Sequence, residues 1–99
     1  MPLETTRFDV QDHLKTEDER MLYLEAAFED GDPALIAHAL GDVARAAGMS
    51  AVAKEAGVTR EALYKSLSET GDPRLSTFFG VIKALGLKVS ISPADADAA

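Results

Sequence analysis

Residues 49–68, reading MSAVAKEAGVTREALYKSLS, restrict the fold of this chain more than any other stretch. Two short helical patterns meet there at Gly57, and Thr59 stands where it can open the second one. Ala53 lies four residues before the glycine, and Val52, Val58 and Leu63 supply apolar contacts around the bend. A helix pair joined by a three- to four-residue turn containing glycine is the pattern of a helix-turn-helix. In that motif the second helix enters the major groove of DNA. Residues 59–67 are therefore the candidate recognition helix.

The rest of the chain has to supply a body for that pair. Ninety-nine residues fit one domain, and 46% of them are hydrophobic, enough for a single core. Cysteine is absent, which removes disulfides and thiolate metal sites. No apolar run reaches the roughly 18 residues of a membrane span, and the N-terminus lacks a signal-peptide pattern. A cytoplasmic protein is the expectation.

The flanking segments read mostly as helices. Residues 3–8 form a short strand or an extended arm, and Asp9 can cap a single turn that reaches Leu14. Thr16 followed by Glu19 has capping-box spacing. The helix it opens runs to about Asp30, with Met21, Leu24 and Phe28 on one stripe and Glu17, Asp18 and Glu19 at the positive end of its dipole. Asp32 and Pro33 begin the next helix as cap and first residue. Its core face is Ile36, Ala39, Leu40, Val43 and Ala47, with Gly41 admitting a close neighbour and Gly48 ending it. Ser50 can cap the first helix of the motif. After a turn at Gly71 and Pro73, a stripe of Leu75, Phe78, Phe79, Ile82 and Leu85 predicts a helix closing the core against Ile36–Val43, with both phenylalanines inside.

Residues 87–93 alternate Leu87, Val89 and Ile91 with Lys88, Ser90 and Ser92 before Pro93, the period of a half-buried strand. Residues 94–99 read as a polar tail. The expected fold class is thus mainly all-α, a bundle of about five helices with a short C-terminal β-strand. A lone strand needs a partner, either residues 3–8 or the same strand of a second copy. Helix-turn-helix proteins bind paired half-sites as dimers, so a homodimer is expected.

The net charge of −7 seems to oppose binding to nucleic acid. Its distribution does not. Residues 1–49 carry 4 basic and 11 acidic side chains, whereas residues 50–90 carry 6 basic and 4 acidic. On the candidate recognition helix, Ala62, Leu63 and Leu67 are assigned to the interior, leaving Thr59, Arg60, Glu61, Tyr64, Lys65 and Ser68 for solvent or DNA. Arg60 has the fork that pairs with guanine N7 and O6, and Glu61 can accept from cytosine N4 or orient Arg60. Tyr64 and Lys65 lie one turn further on, and Thr59 is both cap and candidate phosphate contact. Ser50 and Lys54, on the preceding helix, are candidates for bonds to the sugar–phosphate backbone. The same residue types also suit an ordinary solvated helix face, and the acids elsewhere suit an ordinary solvated surface or a basic partner.

A resemblance narrows these readings. The run GDPALIAHALGDVARAAGM (31–49), the turn LSETGDP (67–73) and the opening TTRFDVQDHL (5–14) resemble the family of addiction-module antidote proteins, HigA-like antitoxins with a lambda-repressor-type helix-turn-helix of the XRE kind. The likeness covers nearly the whole chain. It implies a lambda-repressor-like bundle and an antitoxin encoded beside a ribonuclease-type toxin of the RelE/HigB class, which it would bind and neutralise while repressing their shared operon. Ser66 departs from the pattern, because many lambda-type motifs place a branched apolar residue nine positions after the turn glycine. Leu67 can take over that packing, which leaves the register of base contacts open by about one position. No toxin-binding motif transfers. On charge alone, the face of Glu17, Asp18, Glu25, Glu29 and Asp30 is the candidate surface for a basic toxin.

Two other readings stay open: a transcription regulator with no toxin partner, and a toxin-binding module that does not read DNA. Catalysis fits worst. The chain has no cysteine nucleophile and no glycine-rich phosphate loop, and its two histidines, His13 and His38, have no metal-ligand spacing. No metal, cofactor or enzymatic role is expected, and no membrane partner.

Overall fold

The computed structural model describes residues 14–68 and 70–94, and within them five helices follow one another. These are α1 (Glu17–Asp30), α2 (Pro33–Ala47), α3 (Met49–Ala56), α4 (Arg60–Ser66) and α5 (Leu75–Ala84). Three of these helices, α1, α2 and α4, start at a side-chain cap. At α1 the capping box is closed: Glu19 N–H donates to Thr16 Oγ1 at 3.1 Å, and Thr16 N–H donates to Glu19 Oε1 at 3.0 Å. At α2, Asp32 Oδ2 accepts from Leu35 N–H at 3.2 Å, and Pro33 occupies the first position. α3 follows Gly48 with no side-chain cap, so Ser50 lies inside the helix rather than at its start, which corrects its expected role.

The core is built from Leu14, Leu24, Ala39, Leu40, Val43, Val52, Leu63, Leu67, Val81 and Leu85, all buried, with Ala27, Ala44 and Ala53 filling between them. α1 packs on α2, α2 on α3, and α3 on both α4 and α5. The α3–α5 contact is close, because a methyl group at Gly80 would lie only 2.9 Å from Ala56 Cα. The expectation that α5 closes mainly against α2 is therefore replaced by packing on α3. That approach also turns the helix: Thr77, Val81 and Ile82 face inward, while Phe79 is 48% and Leu75 70% exposed. Phe78 is half-buried and meets Phe28 with ring centroids 6.0 Å apart. On α2, Gly41 does admit a neighbour, since a methyl group there would lie 2.8 Å from the Leu67 carbonyl oxygen.

A buried carboxylate ties α1 to α2. Tyr23 donates its hydroxyl to Asp42 Oδ2 at 2.6 Å, Arg45 donates to Oδ1 at 2.9 Å, and His38 Nε2 lies 3.5 Å away on the Oδ2 side. Burial, then the hydrogen bond to Asp42 and its negative charge, push the Tyr23 phenol from 10.0 up to about 12. Arg45 opposes this shift.

The expected C-terminal strand is absent, and the fold class is corrected on that point: among the described residues the chain is helical without any strand. Leu87 N–H instead donates to the Ile82 carbonyl at 3.1 Å, closing the end of α5. Beyond it residues 88–93 form no helix or strand, with Val89 exposed and Ile91 96% exposed. Alternating side chains can line one wall, but a strand also needs a neighbour to take its N–H and C=O groups, and no described segment supplies one. The expected arm at 1–8, the turn after Asp9 and most of the tail at 94–99 lie outside the described residues.

Candidate nucleic-acid interface

The surface that carries the candidate DNA contacts is organised by the turn between α3 and α4. α3 is held down by Met49, Val52 and Ala53, all buried. At its end Gly57 has φ 77° and donates to Lys54 O at 3.2 Å, while Val58 N–H donates to Ala53 O at 3.0 Å. This pair of bonds is the Schellman closure, which a left-handed glycine permits. Thr59 then caps α4, its Oγ1 accepting from Ala62 N–H at 3.0 Å. Three residues, Gly57, Val58 and Thr59, thus separate the helices.

α4 is fixed from beneath by Leu63, which is fully buried, and by Leu67 just past its end. Leu67 fills the interior position and Ser66 sits half-buried, its hydroxyl donating to the Leu63 carbonyl at 3.2 Å. A serine that satisfies its own hydroxyl within the helix can replace an apolar residue there. Ala62, assigned to the interior from spacing, is exposed.

Ser50 and Lys54 on α3, Thr59 in the turn, and Arg60, Glu61, Tyr64 and Lys65 on α4 are all exposed. Arg60 and Tyr64 are drawn together: the guanidinium lies 5.3 Å from the ring centroid and its Nη2 is 3.5 Å from the phenol oxygen. The contact holds Arg60 along the helix surface by cation–π attraction. Ser68 stands apart from this set. It is half-buried, and its hydroxyl donates to the Lys65 carbonyl at 2.9 Å, so its proton is already used. No cluster of possible metal ligands occurs among the described residues, and no helix there is long and apolar enough to cross a membrane.

Sequence reasoning marked the acidic face of α1 by charge alone and missed the apolar groove beside it. Met21 and Phe28, placed on one stripe of α1 with Leu24, are 40% and 38% exposed and line an open groove together with Val89. Helical periodicity identifies an apolar stripe but not whether a neighbouring element covers all of it, so only their position beside Glu17, Asp18, Glu25 and Glu29 hinted at an open face.

Comparison with other proteins gives a consistent affiliation. A family described as "Probable addiction module antidote protein" matches residues 4–93. A protein of Haemophilus influenzae (strain Rd), itself described as uncharacterized, is 48% identical over 84 residues, covering 85% of this chain and 87% of that protein. No solved structure matches the chain significantly. A match over residues 4–93, with a relative of that similarity and length, means that this chain belongs to the addiction-module antidote family.

Proposed function

We propose that the protein is the antitoxin of a type II toxin–antitoxin module, one that neutralises a small basic RelE/HigB-like toxin and represses its own operon as a HigA-like, helix-turn-helix DNA-binding homodimer. The observation that carries the DNA-binding half is α4 itself. Its apolar side is locked into the core by Leu63, with Leu67 just beyond its end, and its outer side offers Arg60, Glu61, Tyr64 and Lys65 together. A helix anchored through its apolar side, with a polar outer face, can enter a major groove without rearranging the domain. Ser50, Lys54 and Thr59 flank it for phosphate contacts, and Ser68 contributes at most its oxygen as an acceptor. Two copies related by symmetry would read two half-sites one helical turn of DNA apart.

The test is a mobility shift on the promoter fragment upstream of the protein's own gene. Wild-type protein at low salt is expected to bind it specifically. Arg60→Ala should weaken that binding by an amount equivalent to about 1–3 kcal/mol and relax the sequence preference at one base pair. Lys65→Ala should weaken binding to every sequence alike. Absence of any shift with micromolar protein would remove the operator reading and leave a toxin-binding module, which the engagement of Arg60 with Tyr64 would then explain as surface packing.

A further inference from the structure

α1, Ile82 and the chain after α5 (residues 86–90) line an open groove of ≈ 500 Å³. Its floor is apolar, with buried Leu24 and Ile82, and its walls are the exposed side chains of Met21, Phe28 and Val89. Its rim is acidic. Glu17, Asp18 and Glu25 stand along it, and a polar extension past Ser90 adds Glu29. Glu25 and Glu29 are four residues apart on α1, hence on the same side of the helix. Lys88 is the basic residue on the opposite wall. No residue of α3 or α4 lines either part of the hollow.

An apolar trough with an acidic rim selects its occupant by charge. The chain's own ends suit it poorly. Residues 1–13 carry Glu4, Asp9 and Asp12 against Arg7, and residues 95–99 carry Asp95 and Asp97. A second copy packed groove to groove about a two-fold axis would set Glu17, Asp18, Glu25 and Glu29 against the same acids of its partner. Each of these would place like charges together around a dry contact. A basic polypeptide would not, since an apolar side chain could fill the trough between Met21 and Phe28 while arginine or lysine meets Glu25 and Glu29.

We propose that this groove is where the toxin docks, receiving a basic segment with an apolar anchor. The inference rests on the antitoxin reading and adds its binding surface. Because no residue of α3 or α4 lines the groove, a segment seated in it does not cover the candidate DNA contacts.

The experiment uses the full-length protein and the purified product of the adjacent gene as probe, with affinity measured by calorimetry. Wild-type protein is expected to bind that product. The double variant Glu25→Lys/Glu29→Lys should weaken binding at least tenfold at low salt, with a smaller loss at high salt, while its operator shift and helical circular dichroism stay as in wild type. A photo-crosslinking residue in place of Met21 should join the two proteins. Unchanged affinity in the double variant, or crosslinks that join only copies of this chain, would overturn the groove assignment and leave the antitoxin reading standing. If wild-type protein does not bind the product at all, the antitoxin reading falls and the docking site with it.

Discussion

Asp42 sits in the middle of an otherwise apolar helix face, and its position is tenable only because three side chains converge on it. Tyr23 is the partner that reaches across from another helix, so this single hydroxyl reports on the α1–α2 contact. The folded chain favours the protonated phenol. The stability this contributes is complete below the unfolded value of 10.0 and is lost as pH rises through about 12. Denaturant unfolding of wild type and Tyr23→Phe should therefore differ most near neutral pH, by about 1–3 kcal/mol, and converge as the solution becomes strongly alkaline. Ultraviolet titration should show the late tyrosinate disappearing in the variant. A gap that stayed constant with pH would mean that the hydroxyl does not bond Asp42. This cluster was only half legible in the sequence. His38, Asp42 and Arg45 have the spacing of neighbours on one helix, but nothing local says that Tyr23, nineteen residues from Asp42, would turn toward them.

Helix ends were the most legible feature at the scale of elements, because capping is decided within a few residues. Thr16 with Glu19, Asp32 with Pro33, Gly57 and Thr59 all act where their spacing places them. What spacing does not reveal is which neighbour a helix meets. The Gly80–Ala56 approach sets the rotation of α5, and that is why Phe79, on an apolar stripe, ends up half outside. The lost strand at residues 87–93 has the same origin, a pairing partner that alternation does not specify. At Gly57 the conformational demand can be isolated, since a methyl group there would meet nothing within 4 Å and the cost of any replacement lies in the backbone alone. Gly57→Val should destabilise the fold by at least about 1–2 kcal/mol and Gly57→Asn by clearly less, as urea unfolding would show. Equal losses would imply a hidden contact at that turn.

The whole molecule separates its charges, with acids gathered on α1 and before, and the basic excess in the half that holds α3, α4 and α5. Binding to the operator should accordingly depend on salt through a few phosphate contacts, not through net charge. With roughly 3–5 cations engaged per protomer, the slope of log K against log salt should be about −3 to −4.5 for each half-site. A slope near zero would argue against a DNA interface on this face. Sedimentation of the free protein should give a dimer at working concentration, and a strict monomer would defeat the paired-half-site arrangement.

The helix proposed to meet DNA is also the shortest of those among the described residues, seven residues held through Leu63 and closed by bonds such as Leu63 N–H to Thr59 O and Leu67 N–H to Leu63 O. So few bonds cannot sustain a helix independently, and its local opening needs far less free energy than global unfolding. In hydrogen–deuterium exchange, the amides of α4 should label well before those of α2 in the free protein, and operator DNA should slow them selectively. Amides that exchange late in the free chain would show that the reader is as rigid as the core it stands on.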